Sequence, residues 1–300
     1  MDDHLLDAFV QANAVRGLGA HGIHVYREGR APVAHRFGAD DRVNVYSVAK
    51  TFTSVALGLA EAEGRLTLDD RLLDHFPELR ATAADGAEGI TLRHLLTMTT
   101  GSSHRWFAGQ RIDAADLLHE IVAAPLKAAP GARFAYTGSG AYAIGRVIAR
   151  VTGADLRTYL LPRVFVPLGL DDPAWRTCPL GFPLAESDLF LRTHELARFA
   201  RLLLQDGRWE DRQLLPASYV RRMTTERVDT AAITFGERYT RGYGLGVWLD
   251  EGGTYRMDGR YGQYVVVSPG RRAAVTVTAH SERDQELLDA IHELVVDRLT

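Results

Sequence analysis

The sequence predicts a mixed α/β protein of the α+β type: an antiparallel sheet built from the N- and C-terminal segments and flanked by helices, beside a mostly helical lobe. Three observations carry this expectation. Short β-rich runs stand near both ends, at 22–26 and 32–37 and again at 245–249, 264–268 and 273–279. The stretch between them reads as helices and loops. A chain of 300 residues with 46% hydrophobic content also sits near the upper size for one core, so two lobes are expected, residues 1–64 with 206–300 forming the sheet lobe and 65–205 the helical one.

Each element has its own warrant. Leu5, Leu6, Phe9 and Val10 make one apolar face of an N-terminal helix. Glu28-Gly29-Arg30 is the turn joining the first two strands. A helix starting near Ser47 runs through the apolar stretch 55–60 and stops at Gly64, a residue suited to a left-handed cap. Helical periodicity recurs at 92–98, 114–123, 141–151 and 194–205. Pro269-Gly270 is a hairpin turn between the last two strands. Leu287, Leu288, Ile291, Leu294, Val295 and Leu299 mark a closing amphipathic helix.

Composition excludes several classes. A net charge of −3 with a pI near 6.4, and no basic stripe interleaved with aromatics, argue against a nucleic-acid partner. Cys178 is the only cysteine, so no internal disulfide forms. Met1-Asp2-Asp3-His4 has no leader character and no apolar run is long enough to span a membrane. The expectation is a cytoplasmic protein without a membrane partner; a chain whose leader had been removed would read the same way. No serine lies in G-x-S-x-G, no histidines form H-E-x-x-H, and no phosphate or dinucleotide fingerprint is present. His21 and His24 are an isolated pair, and His194-Glu195 is followed by Arg198 where a second ligand would stand. No metal and no cofactor are expected.

The stretch with chemical content is Ser47-Val48-Ala49-Lys50. Residues three apart on a helix share a face, and a neutral amine beside a serine can take its proton. First-turn N–H groups would face the same oxygen. A free lysine has a pKa of about 10.4, so about one in 2500 is neutral at pH 7; a half-neutral lysine base needs about 4.6 kcal/mol of bias from its site. The competing reading is Ser47 as a helix N-cap and Lys50 as an exposed first-turn residue.

Two further segments accompany it, Phe134-Ala135-Tyr136-Thr137-Gly138-Ser139 and Gly259-Arg260-Tyr261-Gly262-Gln263-Tyr264. Together with Ile90-Thr91-Leu92-Arg93-His94-Leu95-Leu96-Thr97-Met98-Thr99-Thr100-Gly101, Pro130-Gly131, Pro167-Leu168-Gly169-Leu170 and Gly242-Tyr243-Gly244-Leu245-Gly246, all in order, they make the chain resemble the serine β-lactamase and penicillin-binding-protein superfamily. The resemblance covers most of the chain. It is greatest to the branch of class C β-lactamases, DD-peptidases and family VIII carboxylesterases. It implies a β-lactamase/transpeptidase-like fold. Ser47 would be the nucleophile that becomes acylated, Lys50 its proton acceptor or electrostatic partner, and Tyr136 the tyrosine of Y-x-N with a share of acid/base duty. The backbone N–H groups of Ser47 and Gln263 would form the oxyanion hole, one such donor being worth roughly 3 kcal/mol of barrier. Arg260-Tyr261-Gly262 lies where the family carries K-T-G or H-x-G on an edge strand.

Gly138 and Arg260 depart from the family pattern. The Asn of Y-x-N, which orients the lysine and binds a substrate amide, is Gly138 here, with Thr137 and Ser139 as the neighbouring hydroxyls. Arg260 cannot lose its proton; its place suggests a bias toward neutral Lys50 or ionised Tyr136 and contact with a substrate carboxylate. Arg260, Tyr261, Gly262, Gly138 and Trp106 are the candidate substrate contacts. The bland alternatives are a core role for Tyr136, a solvated charge for Arg260, a bulge at Gly262 and packing for Trp106. The function implied is a serine hydrolase acting through an acyl-enzyme on a small-molecule ester, amide or lactam. A carboxylesterase/amidase is expected, with weak β-lactam hydrolysis as a side activity. A β-lactamase or DD-peptidase proper and a non-turnover penicillin-binding sensor are the alternatives.

Overall fold

The computed structural model describes residues 4–104 and 114–299. Its main sheet has six strands: β1 (Ala20–Arg27), β2 (Val33–Arg36), β3 (Trp248–Leu249), β4 (Tyr255–Gly259), β5 (Gln263–Ser268) and β6 (Ala273–Ala279). Their spatial order is β2-β1-β6-β5-β4-β3, and every neighbouring pair is antiparallel. The first and last strands in the chain are therefore joined through β1 and β6, with Ile23 opposite Val277 and Val25 opposite Val275. An antiparallel sheet made from the chain ends is the arrangement expected from the sequence.

Both faces of this sheet are covered. Tyr264 and Val266 of β5 pack with α1 (Asp7–Arg16) and the C-terminal helix, here called α7 (Asp284–Leu294), through Phe9, Leu287, Leu288 and Ile291. Val265 and Val267, on the opposite side of the pleat, join the larger core that contains Leu196 and Phe199 of α6 (Thr193–Leu204). This explains why β5 reads as an apolar run from Tyr264 to Val267 rather than as an alternating one.

The middle of the chain supplies α2 (Ala49–Ala62), α3 (Leu92–Leu96), α4 (Leu117–Ala123) and α5 (Ser139–Thr152). Helix α2 is buried on all sides from Ala49 to Ala60, as expected of a helix at the centre of a core. Gly64, just past its end, takes the left-handed conformation (φ 69°). Gly140 lets α5 cross close to α3, since a Cβ there would lie 2.5 Å from the Leu95 carbonyl oxygen.

Three details differ from the sequence reading. The helix expected from residue 114 starts at Leu117, with Asp116 as its N-cap accepting from Leu118 N at 3.0 Å. The strand expected at 245–249 is confined to Trp248–Leu249. Strand β4 has no counterpart in the sequence reading, because Arg256 and Asp258 look like surface residues in Tyr255-Arg256-Met257-Asp258 yet are enclosed. Among the described residues no helix is long and apolar enough to cross a membrane.

Candidate active site

Ser47 lies in a single 3₁₀ turn, Tyr46–Val48, immediately before α2. It is not an N-cap: Val48 occupies that position and no side chain caps the helix. Tyr46 has a φ of 47°, a strained conformation for a bulky residue. It is held there by Asn44, whose Oδ1 accepts from Tyr46 N at 2.8 Å. One helical turn on, Lys50 is only 4% exposed. The exposed-lysine alternative therefore does not describe this chain. Lys50 Nζ donates to Ser47 Oγ at 2.7 Å and to the Glu186 carbonyl oxygen at 3.1 Å.

Tyr136 reaches this pair from the helical side of the molecule. Its segment is laid against 98–101 by backbone bonds: Ala135 N donates to Met98 O at 2.8 Å and Gly131 N to Thr99 O at 2.7 Å. Lys50 Nζ stands 5.1 Å from the centre of the Tyr136 ring. The same ring stacks on Trp248 with centroids 5.2 Å apart. Trp248 is a buried support for Tyr136.

The third segment arrives through β4. Gly259 at its end allows close approach to the Ser47 turn, because a Cβ there would lie 2.3 Å from the Val45 carbonyl oxygen. Arg260, Tyr261 and Gly262 form the turn between β4 and β5, with Gly262 N donating to Gly259 O at 3.2 Å. They are not on an edge strand, as the family pattern suggested; left-handed φ values at Tyr261 (63°) and Gly262 (88°) require a turn. Tyr261 meets Tyr46 edge-on with ring centres 5.5 Å apart and stacks on His280 at 4.7 Å. Arg260 is exposed, its guanidinium over the Tyr261 ring at 4.9 Å. Gln263 is buried, its amide donating to Ala279 O at 2.6 Å, so the side chain anchors the turn to β6.

The residue that sequence reasoning missed is Glu186. Its carboxylate is buried, with Oε2 at 4.0 Å from Lys50 Nζ. Burial pushes this carboxyl up to about 7, against the pull of Lys50 and with the push of Asp188. A Cβ on Gly138 would lie 0.6 Å from Glu186 Oε2. The glycine that looked like a loss in the sequence is thus the space a buried carboxylate fills. The only signal available was Gly138 itself, since Glu186 lies 48 residues further along with no motif around it. Ser139 does not take over the vacated role; its hydroxyl donates to His104 O at 2.8 Å.

Beside Tyr136 opens a cleft of about 590 Å³, lined among others by Ser102, Lys127, Arg133, Phe134, Ile233 and Phe235. It combines apolar walls with a charged edge, Lys127 and Arg133 against the single carboxylate of Asp229, suited to an acyl or leaving group. Trp106 lies outside the described residues. Among the described residues no three His, Cys, Asp or Glu side chains cluster as metal ligands would. The chemistry available is that of a hydroxyl hydrogen-bonded to a buried amine, with a phenol and a carboxylate beside it.

Known proteins share this architecture. The chain is 30% identical over 181 residues to the lovastatin esterase of Penicillium rubens, covering 52% of this chain and 44% of that protein. It thus spans less than half the length of that curated relative. Among solved structures, a mutant simvastatin synthase of Aspergillus terreus superimposes with a TM-score of 0.77 at 19% identity, covering 98% of this chain and 96% of that one. A D-stereospecific amidohydrolase of a Streptomyces species does so with a TM-score of 0.70 at 24% identity, over 95% and 97%. The Beta-lactamase family model matches residues 3–298, and the chain belongs to that family of hydrolases.

Proposed function

We propose that this protein hydrolyses an ester or amide through an acyl-enzyme on Ser47. The observation that carries the reading is the 2.7 Å hydrogen bond from the buried Lys50 amine to Ser47 Oγ. In the forward step Ser47 Oγ attacks the carbonyl carbon, and its proton passes to Lys50 or Tyr136. The oxyanion is received by the N–H groups of Ser47 and Gln263. The leaving group departs with a proton, and water repeats the sequence to release the acid. The named activities of the esterase and amidohydrolase relatives support an ester or amide substrate. Lys127 and Arg133 at the cleft and Arg260 at the turn favour an acyl donor with an anionic end.

The glycine at 138 supports a second reading, a protein acylated by penicillin-like compounds without turnover. A chromogenic ester and a chromogenic cephalosporin, each with wild type and Ser47→Ala, separate the two. Ester turnover that is abolished in the variant is the expected result. A stable adduct on Ser47 without turnover would favour the sensor. Neither adduct nor turnover across a panel of acyl donors would overturn both.

A further inference from the structure

Glu186 is held in place by its own scaffold. Thr53 Oγ1 donates to Ala185 O at 2.8 Å, Trp175 Nε1 to Ser187 O at 2.9 Å, and Asp188 N to Asn44 Oδ1 at 3.1 Å. Ala185 and Asp188 on either side take left-handed φ values of 60° and 61°. Non-glycine residues adopt these only when surrounding contacts enforce them. The same Asn44 supports Tyr46 next to the serine, so one side chain ties the Glu186 loop to the Ser47 turn. Glu186 grips Lys50 twice, by its carbonyl oxygen at 3.1 Å and its carboxylate at 4.0 Å. The groups facing the carboxylate are Lys50 from α2, Asp188 from its own loop, and the bare backbone of Gly138 at the head of α5.

We propose that Glu186 is the positioning residue of a Ser47–Lys50–Glu186 relay, its carboxylate seated in the space left by Gly138 and acting on Ser47 through Lys50. This rests on the reading of Ser47 as nucleophile. The bookkeeping is that of a base oriented by a third group. The Ser47 Oγ–H bond breaks, an N–H bond forms on Lys50, Oγ bonds to the carbonyl carbon, and the carbonyl π pair moves to its oxygen. On collapse the bond to the leaving group breaks and the leaving group takes the proton from Lys50. Glu186 exchanges no proton. Its ionised form aims the amine at Ser47 and stabilises the ammonium as it forms.

The test is the pH profile of p-nitrophenyl acetate hydrolysis and, in parallel, of Ser47 labelling by a fluorophosphonate. Wild type should show a rate that rises as Glu186 ionises, near its value of about 7. Glu186→Gln should lose that limb and about 10²-fold in kcat, with KM changed less than about threefold. Glu186→Asp should keep the limb at reduced rate. Gly138→Ala offers an independent route, since its methyl displaces the carboxylate: it should reproduce the Glu186→Gln profile, and should add nothing further in a Glu186→Ala background. A Glu186→Gln enzyme with the wild-type limb and a kcat within twofold overturns the relay while leaving the nucleophile intact. Turnover and labelling that persist in Ser47→Ala overturn both. Cooperative thermal unfolding of Glu186→Gln at or above the wild-type temperature assigns a lost limb to the relay; should Glu186→Gln not fold, Gly138→Ala decides by the same two outcomes.

Discussion

Tyr136 lines the cleft and stands against Lys50, and the proposed mechanism gives it a share of the proton transfer. Its ring is in contact with Lys50 Nζ and stacked on the Trp248 indole, so its hydroxyl can be removed with little disturbance to packing. Tyr136→Phe should lower kcat about 10²-fold or more and move unfolding stability by less than about 1 kcal/mol, measured by ester turnover and urea titration. Full activity in this variant would leave Lys50 as the sole proton carrier. Ser47, Lys50 and Tyr136 were legible in the sequence because short spacing and ordered motifs mark them. Glu186 was not, because its partnership with Gly138 exists only across space: a missing side chain at one position makes room for a charged one 48 residues away.

At the scale of elements, β4 carries the burden of bringing the 260–262 turn to the serine, and it does so around a fully buried arginine. Arg256 pairs with Asp258 at 3.1 Å and Asp250 at 3.5 Å, its guanidinium over the Tyr239 ring at 4.7 Å. Asp250 has Arg238 and Arg241 as further partners, whereas Asp258 has Arg256 as its charged partner, with a hydrogen bond from the Tyr239 hydroxyl besides. Arg256→Met should therefore strand a buried carboxylate and cost about 3–5 kcal/mol, read by urea unfolding. Arg256→Met with Asp258→Asn should recover a large part of the loss; no recovery would place the cost in packing instead. The same network explains why β4 escaped sequence analysis. Alternation is informative when polar residues face water, and here both charged residues of the strand face each other inside. Strands β1, β5 and β6, whose buried faces are apolar, were legible for the opposite reason.

For the whole molecule, buried titrating groups oppose one another across the acid range. His24 and His292 are pushed down from 6.5 to about 4, chiefly by burial. Such a histidine is neutral in the fold; as pH falls from 6.5 toward 4 the unfolded chain gains protons that the folded one refuses, and stability falls by up to about 3 kcal/mol each. Glu186 acts in the other sense. Its carboxyl is raised from 4.5 to about 7, so its contribution is full below 4.5 and is lost as pH rises through 7, again by up to about 3 kcal/mol. Asp258, pushed up by burial against the pull of Arg256, adds to the same side. His21 and His94, also held below the ordinary histidine value chiefly by burial, add to the side of His24 and His292, so the histidines outweigh the two carboxyls and wild-type stability should rise from pH 4 to about 6 and then level off. In Glu186→Gln the opposing contribution is gone. The variant should gain on wild type by up to about 3 kcal/mol between pH 4.5 and 7.5, measured as the difference between urea unfolding curves at pH 5 and pH 7.5. A difference that does not grow with pH would mean that Lys50 holds Glu186 ionised through the whole range. The carboxylate beside Ser47 would then be a permanent counter-ion, and the activity limb assigned to its ionisation would have to belong to another group.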